Sequence, residues 1–269
     1  MKLFRNATWL VACWAAVVLA GCAANPGGQA AAGGRGEIMT ESDEPDSRKR
    51  ARLRLELAAN YFQQGQTNVA LDELKQALTA DPTFAEAHNL RGLVYMRLND
   101  NALAEDSFKR AITFNPRDGD VLHNYGWLLC QQGKYTESNA MFARAAAAPG
   151  YGGMAKTLMT QGLCEMRAGQ NAAAERTLLR SYEMDAGNPL TGYNLASLLY
   201  QRGDLARSQF YIRRLNNSDL ANAETLWLGI KVERGLGDRE SMGQLAVQLK
   251  RRFAQSREAA AYDRGAFNE

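Results

Sequence analysis

Turn-forming residues recur along this chain with a period of 34, and this period constrains the fold more than any other feature of the sequence. Six glycine or asparagine residues are spaced 34, 34, 36, 34 and 34 apart: Gly65, Asn99, Gly133, Gly169, Gly203 and Gly237. Both residue types readily adopt the left-handed conformation that ends a helix. Each therefore predicts a turn between two short helices, and the longer third interval coincides with an insertion at "PGYGG".

Small and apolar residues follow the same period. One position of each unit is glycine or alanine, in the order Ala58, Gly92, Gly126, Gly162, Ala196 and Gly229. Other positions alternate large and small residues, as in Leu74, Phe108 and Phe142 or in Ala77, Ala111 and Ala145. Small residues let two helices cross closely, while large ones fill the space between units. Because no unit of this kind buries its apolar face alone, the pattern predicts a stack of helical pairs.

The second unit, "HNLRGLVYMRLNDNALAEDSFKRAITFNP", resembles the tetratricopeptide repeat. It carries the residues of the L-G-x₂-Y, A-x₃-F and late-proline pattern, with Arg91 in place of the usual leucine: Gly92, Tyr95, Ala104, Phe108, Ala111 and Pro116. The fourth to sixth units match the pattern less well. The resemblance implies an all-α fold, a right-handed superhelix of six helix-turn-helix repeats.

The last unit of such a stack needs a cap, because its apolar face would otherwise be exposed. In "LAVQLKRRFAQ", Leu245, Leu249 and Phe253 recur every four residues and so share one side of a helix. The polar tail "SREAAAYDRGAFNE" predicts a C-terminal capping helix that closes the stack.

Residues 1–21 have the pattern of a secretory signal peptide. Lys2 and Arg5 precede an apolar run that is too short to span a bilayer. The ending "LAGC" resembles a bacterial lipoprotein signal, which is cut before the cysteine that then carries the acyl chains. The resemblance implies covalent lipid on Cys22, and Ala23 after it implies sorting to the outer membrane. The alternative is an ordinary cleavage site with a free cysteine nearby.

Residues 22–47 begin with this cysteine and continue with glycine, alanine, serine and acidic residues that offer almost nothing to bury. They predict a disordered tether in front of a repeat domain at residues 48–269.

Loss of residues 1–21 removes Lys2 and Arg5, so the formal net charge falls from +3 to +1. A near-neutral chain gives no electrostatic reason to expect nucleic-acid binding.

Side chains that could carry catalysis or hold a metal are few and isolated. His88 and His123 lie on the first helices of adjacent repeats, and neither has a cysteine or histidine at metal-ligand spacing. The glycines form turns and helix crossings rather than a phosphate loop, and no serine stands in a nucleophile elbow. We therefore expect no enzymatic activity and no cofactor other than the lipid.

Cys130 and Cys164 are the thiols that remain once Cys13 has left with the signal peptide and Cys22 has been acylated. The periplasm permits a disulfide between them. Both lie in apolar helical patterns, where buried free cysteine is common. The sequence leaves open whether Cys130 and Cys164 form a disulfide or stay as free thiols, and it favours free thiols.

The first helix of each pair lines the concave groove of a tetratricopeptide superhelix. Carried across the repeat units, this rule predicts a partner-binding groove from the first three units: Leu55, Ala59, Phe62, Asn89, Leu93, Met96, His123 and Trp127. The same rule continues the lining through the fourth unit to Tyr193 and Tyr200 of the fifth. Its leucine, methionine and aromatic side chains suit an apolar or amphipathic helix. The alternative for any single residue is packing against a neighbouring helix. We expect the first unit to make the primary contact, since it has the fewest neighbours.

Three stretches narrow the family: "LRLELAANYFQQGQTNVALDELKQAL", "HNYGWLLCQQGKY" and "FAQSREAAAYDRGAF". Together with the lipoprotein signal, they resemble the type IV pilus biogenesis and stability lipoproteins, the pilotins of the pilus secretin. The resemblance implies a protein on the periplasmic face of the outer membrane that binds secretin subunits and promotes their localisation and multimerisation. We expect a monomer. Two other roles stay open: a scaffold for outer-membrane protein assembly, and a regulator of a cell-wall enzyme.

Overall fold

The computed structural model describes residues 44–267, so the predictions for the signal peptide, for Cys22 and for most of the tether lie outside it. Within this range the chain forms thirteen α-helices and no strand. The helices are α1 (Asp46–Gln63), α2 (Thr67–Ala80), α3 (Ala85–Arg97), α4 (Asn101–Phe114), α5 (Gly119–Gln131), α6 (Tyr135–Ala146), α7 (Met154–Arg167), α8 (Asn171–Met184), α9 (Pro189–Gln201), α10 (Leu205–Asn216), α11 (Ala223–Leu236), α12 (Arg239–Arg252) and α13 (Arg257–Asp263). None of these helices is long and apolar enough to cross a membrane.

The first twelve helices pack as six consecutive pairs, from α1 with α2 to α11 with α12. The second helix of each pair also packs on the first helix of the next pair, and consecutive first helices touch one another. Helix α13 packs on α11 and α12, where it covers the last pair. The predicted all-α superhelix of six repeats with a capping helix is confirmed.

The turns between the paired helices form at the predicted residues. Gly65 has a φ of 78° and Asn99 a φ of 59°, and the four later turn glycines also have positive φ. The N–H of Gln66 donates to the carbonyl of Tyr61 at 2.9 Å, the bond that closes a Schellman motif at the end of α1. These positions therefore need a left-handed backbone conformation. Glycine or asparagine recurs along the sequence because each turn has this requirement.

The predicted close crossings also exist. A Cβ placed on Gly92 of α3 would lie 2.6 Å from the ring of Phe108 on α4, and one on Gly162 of α7 would lie 2.6 Å from Leu178 on α8. Phe108 and Leu178 are themselves fully buried. The small residue of each pair therefore makes room for the large side chain that fills the core between the two helices.

Cys130 and Cys164 are joined in a disulfide, with their Cα atoms 5.9 Å apart, which corrects the expectation of free thiols. Cys130 lies near the end of α5, and Cys164 lies on the neighbouring first helix, α7. In the repeat frame Cys164 takes the position of Leu128 in the preceding unit, a fully buried residue. A separation of 34 residues places the two sulfurs on adjacent helices that pack side by side.

Candidate binding groove

The first helices α1, α3, α5, α7, α9 and α11 lie next to one another and form one continuous face. Side-chain contacts join consecutive helices along this face. Asn124 donates through Nδ2 to Oδ1 of Asn89 at 3.1 Å, and Arg97 donates through Nη1 to the carbonyl of Phe62 at 2.6 Å. These bonds fix the lateral positions of α1, α3 and α5, so this part of the face presents a defined surface.

The end of the face at α1 is apolar with a cation at its edge. Leu55, Ala59 and Phe62 are half-buried, and their spacing places them on one side of α1. Leu55 and Phe62 pack against the buried core of the first two units. The Arg97 guanidinium lies over the Phe62 ring, with its Cζ 4.0 Å from the ring centroid. This cation–π contact holds the ring in place and leaves apolar surface beside it.

The second and third units continue the face with similar side chains. Leu93 and Met96 are half-buried against the core cluster around Phe108, and Asn89 is also half-buried. Trp127 is half-buried as well, with the guanidinium of Arg167 4.7 Å from its ring centroid. These predicted groove residues are thus accessible in part, with the remainder of each side chain packed against the scaffold.

His123 differs from the other predicted groove residues because its side chain is only 5% exposed. Its Nδ1 is hydrogen-bonded to the hydroxyl of Thr157 at 2.9 Å, and its ring lies 5.8 Å from that of Phe142. Burial, together with the nearby charge of Lys156, lowers the pKa of His123 to about 4. The imidazole is therefore neutral at pH 7 and belongs to the core, which corrects its place in the predicted groove.

His88 is also a core residue. It is 3% exposed, its Nε2 donates to the carbonyl of Pro82 at 2.9 Å, and its ring stacks on Phe114. Within residues 44–267, no group of three or more histidine, cysteine, aspartate and glutamate side chains is arranged to hold a metal ion.

Sequence reasoning followed the groove as far as the fifth unit and missed its continuation in the sixth. A cleft of about 560 Å³ lies there between α9, α11 and α13. Tyr193 and Tyr200 were expected in the groove, and Trp227 and Lys231 join them as lining residues. Counted back from the turn glycines Gly65 and Gly237, Trp227 and Lys231 take the unit positions of Leu55 and Ala59, so the period of the turns contained this signal.

Models of the tetratricopeptide repeat match residues 60–99, 85–118, 107–138 and 124–189. The six helical pairs extend the same architecture over the rest of the domain. The chain is a tetratricopeptide-repeat protein.

Among similar proteins, the tetratricopeptide-repeat chain is 27% identical over 204 residues to the type IV pilus assembly protein PilF of Pseudomonas aeruginosa, covering 76% of the chain and 81% of PilF. The solved PilF structure superposes with a TM-score of 0.73 at 25% identity, covering 82% of this chain and all of PilF's. The structure of PilW, described as a widely conserved type IV pilus biogenesis factor, superposes with a TM-score of 0.70 at 28% identity. That alignment covers 79% of this chain and 97% of PilW's. The tetratricopeptide-repeat protein is homologous to both.

Proposed function

We propose that this protein acts in type IV pilus biogenesis as a pilotin, a lipid-anchored protein that binds subunits of the pilus secretin and promotes their assembly in the outer membrane. Its homology to PilF and PilW supports a role in pilus biogenesis. The finer assignment to secretin binding rests on the sequence resemblance and is supported by the chemistry of the groove. The assignment to the periplasmic face of the outer membrane rests on the sequence resemblance alone.

The observation that carries the proposal is the apolar end of the groove on α1. Leu55, Ala59 and Phe62 present half-buried apolar surface on one side of this helix, and Arg97 borders it. An apolar stripe of this kind accepts the apolar face of an amphipathic helix, and the neighbouring Met96 adapts to the shape of the ligand. In this proposal the groove shields apolar surface of secretin subunits that await membrane insertion.

Cys22 supplies the second element of the proposed mechanism. Several acyl chains on one residue bind a membrane far more strongly than one chain, because each buried CH₂ contributes roughly 0.8 kcal/mol. A subunit held in the groove of an anchored protein is confined to the membrane surface, and its effective concentration there rises. Assembly of subunits would then proceed at the membrane rather than in the periplasmic volume.

The decisive experiment is on cells that lack this gene. The membranes are separated, and the pilus secretin is probed on a gel that preserves its multimers. The pilotin assignment predicts loss of multimers and accumulation of monomers in the inner membrane. Normal multimers in the outer membrane would refute it, and defects in porin assembly or in the cell wall would then favour one of the two other scaffold roles.

Phe62→Ala tests the groove within that experiment, with Phe210→Ala as its matched control. Both changes remove the same ring atoms, but Phe210 is 63% exposed on α10, a second helix outside the groove. Truncation of a central interface aromatic costs roughly 2 kcal/mol or more in binding, about thirtyfold in affinity. We expect Phe62→Ala to reduce secretin co-isolation and multimer yield and Phe210→Ala to leave both unchanged. Equal effects would exclude the first unit as the contact, provided that both variants keep the wild-type helical circular dichroism.

Cys22→Ser tests the anchor separately. The variant should be folded and should no longer fractionate with membranes, because it lacks the acylated residue. Membrane fractionation of the variant at the wild-type level would refute lipid anchoring through Cys22 without bearing on the groove.

A further inference from the structure

The two ends of the stack of helical pairs differ in how they are covered. At the last unit, α13 packs on α11 and α12. At the first unit, α1 packs on α2 and α3, and no other helix of residues 44–267 lies against it. The side of α1 that would meet a preceding unit is therefore not covered by any described helix.

Leu53 lies on this side of α1, at a unit position that is buried wherever a preceding unit exists. Counted back from the turn residues, the position is at most 4% exposed in the five later units, which hold there Ala87, Val121, Thr157, Thr191 and Thr225. Leu53 is 62% exposed, and Leu57, one helical turn later, is 42% exposed. These two leucines form what we call the open side of α1.

The second helix of the preceding pair covers this unit position in the later units. Ala111 on α4 shares a buried cluster with Val121. Ser181 on α8 touches Thr191 directly, with their hydroxyl oxygens 3.2 Å apart. Ala111 and Ser181 take one unit position, which holds alanine or serine in the first four units and Leu215 in the fifth. The covering helix thus usually presents a small residue at the contact.

A large apolar residue precedes this contact residue by three positions in every covering helix. These five residues are Leu74, Phe108, Phe142, Leu178 and Ile212, and all are fully buried. Residues three positions apart share one face of a helix. A helix that covered α1 in the same way would carry this pair on its apolar face, and the small residue would leave room for the side chain of Leu53.

The open side of α1 is distinct from the partner-binding groove. At 100° per residue, Leu53 and Leu57 point roughly opposite to Leu55, Ala59 and Phe62 around the helix axis. A helix that packed on the open side would therefore leave the concave face of the first unit free.

We propose that the open side of α1 binds an amphipathic helix of a partner protein, which packs there as the second helix of a preceding unit would. The apolar face of this helix carries a large residue and, three positions later, alanine or serine, which lies against Leu53. This occupant matches the contact between units that the chain itself forms five times. Burial of the two leucines stabilises the complex. The proposal does not depend on the groove or on the secretin being the partner.

A fluorescein-labelled peptide with the sequence of α4 tests the proposal in fluorescence polarisation. It carries Phe108 and Ala111 at the required spacing, and the equivalent surfaces of the later units are already covered by the protein's own helices. A hydrocarbon staple joins the exposed positions 106 and 110, because an isolated helix of 14 residues is marginal in water. The control peptide carries Phe108→Asp. The protein is the full chain in phosphatidylcholine nanodiscs, with empty nanodiscs as the blank.

The variants are Leu53→Asp and, as a matched control, Leu220→Asp. Leu220 is 50% exposed in the connection between α10 and α11. Both leucines are exposed, so both variants should keep the wild-type helical circular dichroism. We expect Leu53→Asp to bind the α4 peptide at least about tenfold more weakly than the wild type, since burial of a leucine side chain is lost. Leu220→Asp should bind as the wild type does, and the Phe108→Asp peptide should bind the wild type at least about tenfold more weakly.

Equal affinity of the wild type and Leu53→Asp, or no binding of the α4 peptide to the wild type, would overturn the proposal. Three other results would overturn it by assigning a different contact. Loss of binding in Phe62→Ala but not in Leu53→Asp would place the peptide in the concave groove. A wild-type dimer that Leu53→Asp dissociates would assign the open side to a second copy of this chain. Binding only after removal of residues 23–43 would assign it to the chain's own N-terminal segment.

Discussion

Gly92→Val tests the central structural argument, that one small residue in each unit sets the distance between its two helices. A Cβ on Gly92 would lie 2.6 Å from Cε1 of Phe108 and 2.8 Å from two further ring atoms. The ring cannot move aside, because Phe108 is fully buried and packs in a core cluster with Tyr125 and Leu129. The added side chain must therefore push α3 away from α4 or force the ring from its position.

The expected cost follows from two opposing effects. Overpacking of a well-filled core costs about 1–3 kcal/mol, and the contacts that α3 and α4 lose as they separate add to this. Valine favours a helix over glycine by a few tenths of a kcal/mol, which offsets a small part. We expect Gly92→Val to lower the free energy of unfolding by about 2–4 kcal/mol.

The measurement is urea unfolding of the full chain, followed by helical circular dichroism, with Gly243→Val as the control. Gly243 lies within α12, and a Cβ placed there meets no heavy atom within 4 Å apart from its chain neighbours and the backbone of its own helix. The control should therefore change stability by about 0.5 kcal/mol or less, in the stabilising direction. Equal midpoints for Gly92→Val and the wild type would refute the close crossing and with it the repeat frame.

Two further predictions follow from buried groups of the third and fourth units. Reduction of the disulfide between Cys130 and Cys164 should lower the free energy of unfolding by about 3–4 kcal/mol, since the bond closes a loop of 34 residues. Urea unfolding with and without a reductant measures this difference, and coincident unfolding curves would contradict the prediction. His123 has its pKa lowered by burial to about 4, below the value of about 6.5 in an unfolded chain. Because the unfolded state then binds a proton that the folded state does not, stability should fall as the pH drops from about 6.5 towards 4, by up to about 3 kcal/mol. Urea unfolding at several pH values should show a flatter profile for His123→Gln, and parallel profiles would refute this assignment.

The architecture could be predicted from the sequence because its determinants are local. A left-handed turn needs glycine or asparagine whatever surrounds it, and a close crossing needs a small residue opposite a large one. Gly65 and Asn99 have the required positive φ, and Gly92 lies against Phe108 as expected. The turn residue and the small crossing residue recur in every unit, so each unit supports the helical pairs predicted for the others. This holds even for the units that match the tetratricopeptide pattern less well.

The features that sequence reasoning missed depend on how neighbouring units lie against each other. The period places Cys130 and Cys164 on adjacent helices, but the "PGYGG" insertion shifts the frame between them. The insertion also brings Tyr151 to Thr157, where its hydroxyl lies 2.8 Å from that of Thr157, the partner of His123. The inserted residues thus add a contact at the start of α7, beside His123. The unit position of His123 belongs to the groove in the other units.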